Sequence, residues 1–188
     1  MSSENTMSTD LSLLILRAGV GSVIFSHGAL KLFGWFGEGG GLKATAAGFD
    51  SIGFTPGRAN AIAAGVAEAG GGALLALGLA TPAASAASTG ALVVATAFHY
   101  PNGFFFTDGG YEFPATLALV ASALGISGPG AYSVDELLSH RYDRPWMRVA
   151  ALALVAPAAR RVLKRRASVL GSGSAQTVPE PVGDEPSA

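Results

Sequence analysis

The chain of 188 residues contains no cysteine. Disulfides, iron–sulfur clusters, thiolate-bound zinc and thiol nucleophiles are excluded together. Charge is scarce too. Asp, Glu, Lys and Arg make up 13% of the sequence, about half the share of an ordinary soluble domain. No Lys or Arg lies between Ala59 and His140. No metal-ligating motif is present. What fills the chain instead is apolar: 49% hydrophobic residues, with 26 glycines in addition. A soluble globule of this length needs more polar surface than that, and a disordered chain would have far less apolar content. The net charge of −1 conceals an asymmetry, because eight of the 12 basic residues fall between Arg141 and Arg166. Such placement is that of a membrane protein and not of a nucleic-acid binder, so no nucleic-acid partner is expected.

Residues 1–10 are polar and lack the basic region of a cleavable signal, so the first apolar stretch is expected to stay as a helix. That stretch, Leu11–Phe33, is long enough to span a hydrocarbon core of about 30 Å at about 1.5 Å per residue. It carries Arg17, His27 and Lys31. A second segment, Ala59–Leu79, holds a single charge, Glu68. Thr81-Pro82 turns the chain into a third, Pro82–Tyr100, with His99 near its end. A glycine- and aromatic-rich loop leads to a fourth, Phe113–Ile126, which Tyr111 and Glu112 are expected to start. The expected fold is an all-α integral membrane four-helix bundle. Ser133 is expected to cap a short polar helix (SVDE fits a capping box). Residues 141–170 form a basic segment interrupted by Pro157, which reads equally as a fifth membrane crossing or as an interfacial amphipathic helix. Residues 171–188 read as a disordered tail.

The Arg141–Arg166 region is expected to face the cytoplasm, at least in part, and four crossings then place the N-terminus there too; a fifth crossing would weaken this by putting Arg141–Arg148 and Arg160–Arg166 on opposite sides. Loops 34–58 and 101–112 are then on the outer side. His27, Lys31, Glu68, His99 and Glu112 fall at one level, in the outer leaflet. On helix 1, Arg17, His27 and Lys31 share an arc of roughly 80° at about 100° per residue. Glu68 would cost several kcal/mol in lipid unless protonated or paired. Lys31 or His27 is the expected partner. Ordinary roles compete with functional ones: Lys31 can snorkel to the headgroups, His99 can be interfacial, and Arg17 can bind backbone carbonyls. His27 and His99 make only a thin case for haem ligation. Gly37–Gly41 lacks the Gly-Lys-Ser/Thr of a phosphate loop. Phe104–Phe106 suits a lipid anchor or, beside His99, Asp108 and Glu112, one wall of a quinone headgroup site.

Several stretches resemble the DoxX family of small bacterial membrane proteins. They are Leu14–Gly34 (LILRAGVGSVIFSHGALKLFG), Phe36–Phe54 (FGEGGGLKATAAGFDSIGF), Gly65–Leu79 (GVAEAGGGALLALGL), His99–Pro114 (HYPNGFFFTDGGYEFP) and Gly128–Asp135 (GPGAYSVD). The resemblance runs in order over roughly residues 11–138, so residues 11–140 are taken as the membrane bundle. It implies a four-helix bundle in the bacterial plasma membrane and an association with redox complexes. The family is named for a subunit of a thiosulfate:quinone oxidoreductase and quinol oxidase system. Relatives are linked to a sulfurtransferase and a superoxide dismutase in oxidative-stress defence. The matching residues include His27, Lys31, Glu68, His99, Tyr111 and Glu112, and the resemblance carries no catalytic role to any of them.

The leading expectation is a membrane subunit of a redox assembly. Glu68 and His99 would be the proton-exchanging catalytic pair, and His27, Lys31, Tyr111 and Glu112 the candidate ligand-binding residues. Quinone would be the ligand, although no motif encodes a bound cofactor. A scaffold for soluble redox proteins is the alternative, and a small-molecule or proton transporter the third. The glycine-rich second helix would permit close homo-oligomeric contact.

Overall fold

The structure is a computed structural model and describes residues 3–175. It is all-helical, with no strand among the described residues. The helices are α1 (Ser3–Phe33), α2 (Leu42–Ser51), α3 (Gly57–Leu77), α4 (Thr81–His99), α5 (Glu112–Ser127), α6 (Val134–Leu137), α7 (Pro145–Ala153) and α8 (Val155–Ala175). Two single 3₁₀ turns, Tyr100–Asn102 and Phe106–Asp108, shape the loop before α5. By length and composition, Thr6–Phe33, Gly57–Leu77 and Thr81–Asn102 can cross a membrane, and Glu112–Ser127 is a shorter apolar helix. These four pack as the bundle.

Close approach of α1 and α3 follows from glycines seven residues apart on each. Gly21 and Gly28 on α1 face Gly72, Ala76, Gly65 and Ala69 on α3, and a Cβ at Gly28 would collide with the Ala69 backbone. Packing without intervening side chains suits lipid, where dispersion contacts must replace the hydrophobic drive. Between α4 and α5, Ser85 donates to the Ala121 carbonyl at 2.7 Å. Ile24, Leu75, Leu92, Leu117 and Leu124 fill the space between helices. Outward-facing Ile15, Val66, Leu119 and Ile126 are exposed, as lipid-facing positions must be.

The bundle has a turn end and a loop end. At the turn end, Gly78 takes the left-handed conformation (φ 65°) that closes α3, with Leu79 donating to the Leu74 carbonyl at 2.9 Å. α4 has no side-chain cap of its own; Asp135, in the first turn of α6, supplies one. Its carboxylate accepts from the Ala80 and Thr81 backbone N–H groups, both at 2.9 Å, and from the Thr81 hydroxyl at 2.8 Å. Asp135 is fully buried. Ser133 caps α6 by accepting from Glu136 N–H at 3.1 Å, the cap the sequence motif predicts. Arg17 is buried here and donates to the carbonyls of Ala76 and Tyr132.

α7 and α8 run along α4 from one end of the bundle to the other. At the turn end, Arg148 pairs with Asp143 (2.7 and 2.5 Å) and reaches the Ser127 carbonyl that ends α5. At the loop end, Arg166 donates to the Ile52 carbonyl at 2.9 Å and lies over the rings of Phe54 and Phe98. The break between the helices falls at Leu154 because Pro157 cannot donate to the carbonyl four residues back; it sits in the first turn of α8 instead. The basic residues between Arg141 and Arg166 divide between the two ends of the bundle, the arrangement a fifth crossing would give. α8 also continues to Ala175, into the first residues of the expected tail, and 176–188 lie outside the described residues.

Aromatic side chains mark both ends. Phe33, Trp35, Phe36, Tyr100 and Phe104–Phe106 are exposed at the loop end, Tyr132, Tyr142 and Trp146 at the turn end. Two such belts match the two membrane–water interfaces.

Candidate functional site

Small residues recur every turn along one face of α4: Ala83, Ala87, Gly90, Val94, then Phe98. α3 presents a similar stripe, Asn60, Ala64, Ala67 and Glu68, and the C-terminal helices present Ala151, Val155, Ala158 and Val162. Three faces of small side chains do not fill the space between them. The result is a cavity of about 680 Å³, within the range that holds a small-molecule ligand. From Ala83 to His99 its wall follows α4 over 17 residues, about 24 Å at about 1.5 Å per step.

Polar groups gather at its loop end. Lys31 Nζ on α1 meets Glu68 Oε2 on α3 at 2.5 Å, and both residues line the cavity. The Glu68 side chain is 5% exposed and that of Lys31 24%. A carboxylate this deep is stabilised by its ion partner, and the lysine stem reaches out along apolar surface. His99 also lines the cavity. Its Nδ1 donates to the Gly109 carbonyl at 2.8 Å, which fixes the ring and leaves Nε2 as the nitrogen available to a ligand. Asn60 completes the polar set, held by the Phe54 and Pro56 carbonyls at 3.0 Å each. Phe49, Ile52, Phe54 and Phe98 surround this end, and Arg166 closes over it.

Lys31, Glu68 and His99 therefore share one cavity. The other candidates from the sequence do not line it. His27, at the far edge of the 80° arc, is exposed beside Phe113, with ring centroids 5.4 Å apart. Tyr111 stacks on Tyr100 at 5.3 Å and meets Phe104 edge-on at 5.5 Å. Glu112 accepts from Phe106 N–H at 3.1 Å. Both shape the aromatic loop that supplies the Gly109 carbonyl to His99. No group of three or more His, Asp or Glu that could hold a metal occurs among the described residues. Sequence reasoning missed Asn60, Arg166 and the alanine stripes. The signal was present in the 3.6-residue recurrence of Ala and Gly along the third and fourth segments.

A helical bundle with outward apolar faces and an aromatic belt at each end is a multi-pass membrane protein. Residues 12–101 match the DoxX family model, so this chain carries a DoxX family domain over that range. No curated protein and no solved structure matches the chain. The family domain ends inside the loop after α4, so α5 to α8, including one wall of the cavity, lie beyond it.

Proposed function

We propose that this protein is the membrane subunit of a redox assembly and that its cavity binds a quinone. The observation that carries this reading is an apolar groove, walled by alanine, that ends on a buried Lys31–Glu68 pair and on His99. The groove suits an isoprenoid tail and the polar end suits a quinone headgroup. Reduction of a quinone takes two electrons and two protons. The electrons come from a soluble redox partner, of the sulfurtransferase or dismutase-associated kind that the family resemblance suggests. The two protons are delivered to the headgroup oxygens by His99 Nε2 and the Glu68 carboxyl, each resupplied with a proton from water, while Lys31 positions the Glu68 side chain.

The test is quinone retention by the protein purified in mild detergent. Wild type is expected to retain quinone at near-stoichiometric amount, and Glu68→Gln and His99→Ala to lose at least tenfold in affinity while remaining folded. Equal retention by wild type and both variants, or none by wild type, overturns the reading.

A second reading rests on the same ion pair. Lys31–Glu68 ties α1 to α3, so the cluster can serve packing in a scaffold for soluble redox proteins. In that case Glu68→Gln lowers bundle stability and partner recovery, and no quinone accompanies the wild type.

A further inference from the structure

Charge at the two ends of the bundle differs in a way the sequence conceals. The loop end carries Lys31 and Arg166, both engaged as described, and six further cations: Lys43, Arg58, Arg160, Arg161, Lys164 and Arg165. All six are exposed, and no ion pair or hydrogen bond engages their side chains among the described residues. The turn end carries Arg17, Arg141, Arg144 and Arg148. Of these, Arg17 is held by carbonyls, Arg148 by Asp143, and Arg141 lies over the Tyr142 ring at 5.8 Å.

The face geometry of α8 explains how its cations live beside lipid. At about 100° per residue, Arg160, Arg161, Lys164 and Arg165 occupy one arc of roughly 140°. Ala159, Val162 and Arg166 lie on the opposite side, against the cavity and the α4 end. Arg160 is six residues short of Arg166, about 9 Å along the axis, so its long side chain can reach the headgroups at that end. From Arg148 to Arg166 the path is 18 residues, about 27 Å, against a hydrocarbon core of about 30 Å.

We propose that the chain crosses the membrane five times, with the Lys31–Glu68–His99 end in the cytoplasmic leaflet. There the six unpaired cations bind the anionic phospholipid headgroups that leaflet presents. Lys and Arg near the ends of membrane segments set orientation toward the cytoplasm, and clusters of them bind anionic lipid. The outer-leaflet placement expected from the sequence rested on four crossings and is weakened by a fifth, and α7–α8 separate Arg148 from Arg166 as a fifth crossing would. Any electron donor or proton source for the cavity is then cytoplasmic. This inference does not depend on quinone being the ligand.

The absence of native cysteine makes the test direct. Full-length single-cysteine variants Thr107→Cys (loop end), Ser172→Cys (end of α8) and Ser139→Cys (turn end) are expressed in a bacterial inner membrane. They are then exposed to a membrane-impermeant maleimide before and after permeabilisation. Ser139→Cys is expected to label in intact spheroplasts, and the other two only after permeabilisation. Labelling of Thr107→Cys in intact cells overturns the orientation. Labelling of Ser172→Cys on the same side as Ser139→Cys overturns the fifth crossing. A fluorescent protein fused after Ala188 gives a reading that needs no substitution: it is expected to fluoresce, and an active periplasmic phosphatase fusion there overturns the proposal. For the lipid surface, the fourfold variant Arg160→Gln, Arg161→Gln, Lys164→Gln, Arg165→Gln is compared with wild type for co-purified phosphatidylglycerol. At least a twofold loss is expected, and unchanged retention overturns that part.

Discussion

Breaking the Lys31–Glu68 pair from its two sides should cost different amounts. In Lys31→Met the carboxylate stays where it is, 5% exposed and without its cation. Removing one partner of a buried pair typically costs about 3–5 kcal/mol, because an uncompensated charge is left behind. In Glu68→Gln the lysine is the residue left over. Its side chain is already 24% exposed near the loop end, so the ammonium can extend to water, and the loss is about 1–2 kcal/mol, that of a charged hydrogen bond. The double variant Lys31→Met/Glu68→Gln removes both charges and should stand closer to Glu68→Gln than to Lys31→Met. The double-mutant cycle then gives a coupling of about 3–4 kcal/mol. The assay is reversible unfolding in mixed micelles at pH 7, followed by helical circular dichroism. Additive single costs, or a Glu68→Gln cost equal to that of Lys31→Met, would refute the reasoning.

Three other perturbations probe separate parts of the molecule. Asp135→Ala removes a carboxylate that satisfies two backbone N–H groups and a hydroxyl; it should destabilise the bundle by about 3–5 kcal/mol, since buried donors to a charged acceptor are left bare, as read by thermal unfolding in detergent. Gly28→Leu drives a side chain into the Ala69 backbone and should prevent α1–α3 assembly, whereas Gly70→Ala, with open space around it, should leave the melting temperature within experimental error. Ala87→Phe projects a ring into the cavity; size-exclusion profiles should stay wild-type-like while retention of a bound quinone falls at least tenfold.

Hydropathy alone located three of the four long helices to within two residues at each end, because lipid-facing and helix-facing positions are both apolar; α1 begins at Ser3, eight residues before Leu11, because its polar first turns carry no hydropathy signal. Tyr111 does stand immediately before α5, and Ser133 does cap α6. α2 escaped notice for a physical reason: its ten residues bury none of themselves, and Gly41 and Gly53 bracket it, so the region reads as one loop. The C-terminal segment was ambiguous because Pro157 and the arginines argue against a span, while the stripe Ala151, Val155, Ala158, Val162 argues for one. Only the contacts of Arg148 and Arg166 at opposite ends decide where it runs. His27 looked equivalent to Lys31 by angle. The edge of the arc, however, faces Phe113 and lipid. Asp135 was legible as part of a capping box, but not as the cap of a helix more than fifty residues earlier, since that pairing belongs to tertiary structure alone.

The Asp135 contact also bears on what counts as a self-sufficient piece of this protein. Homology draws a line at residue 101, yet the hairpin between α3 and α4, wholly inside that line, is finished by a carboxylate from outside it. A fragment cut at the homology boundary would keep its recognisable motifs and lose the group that closes its tightest bend. Recurrence among relatives and autonomy in folding are different properties, and in this chain their borders do not coincide.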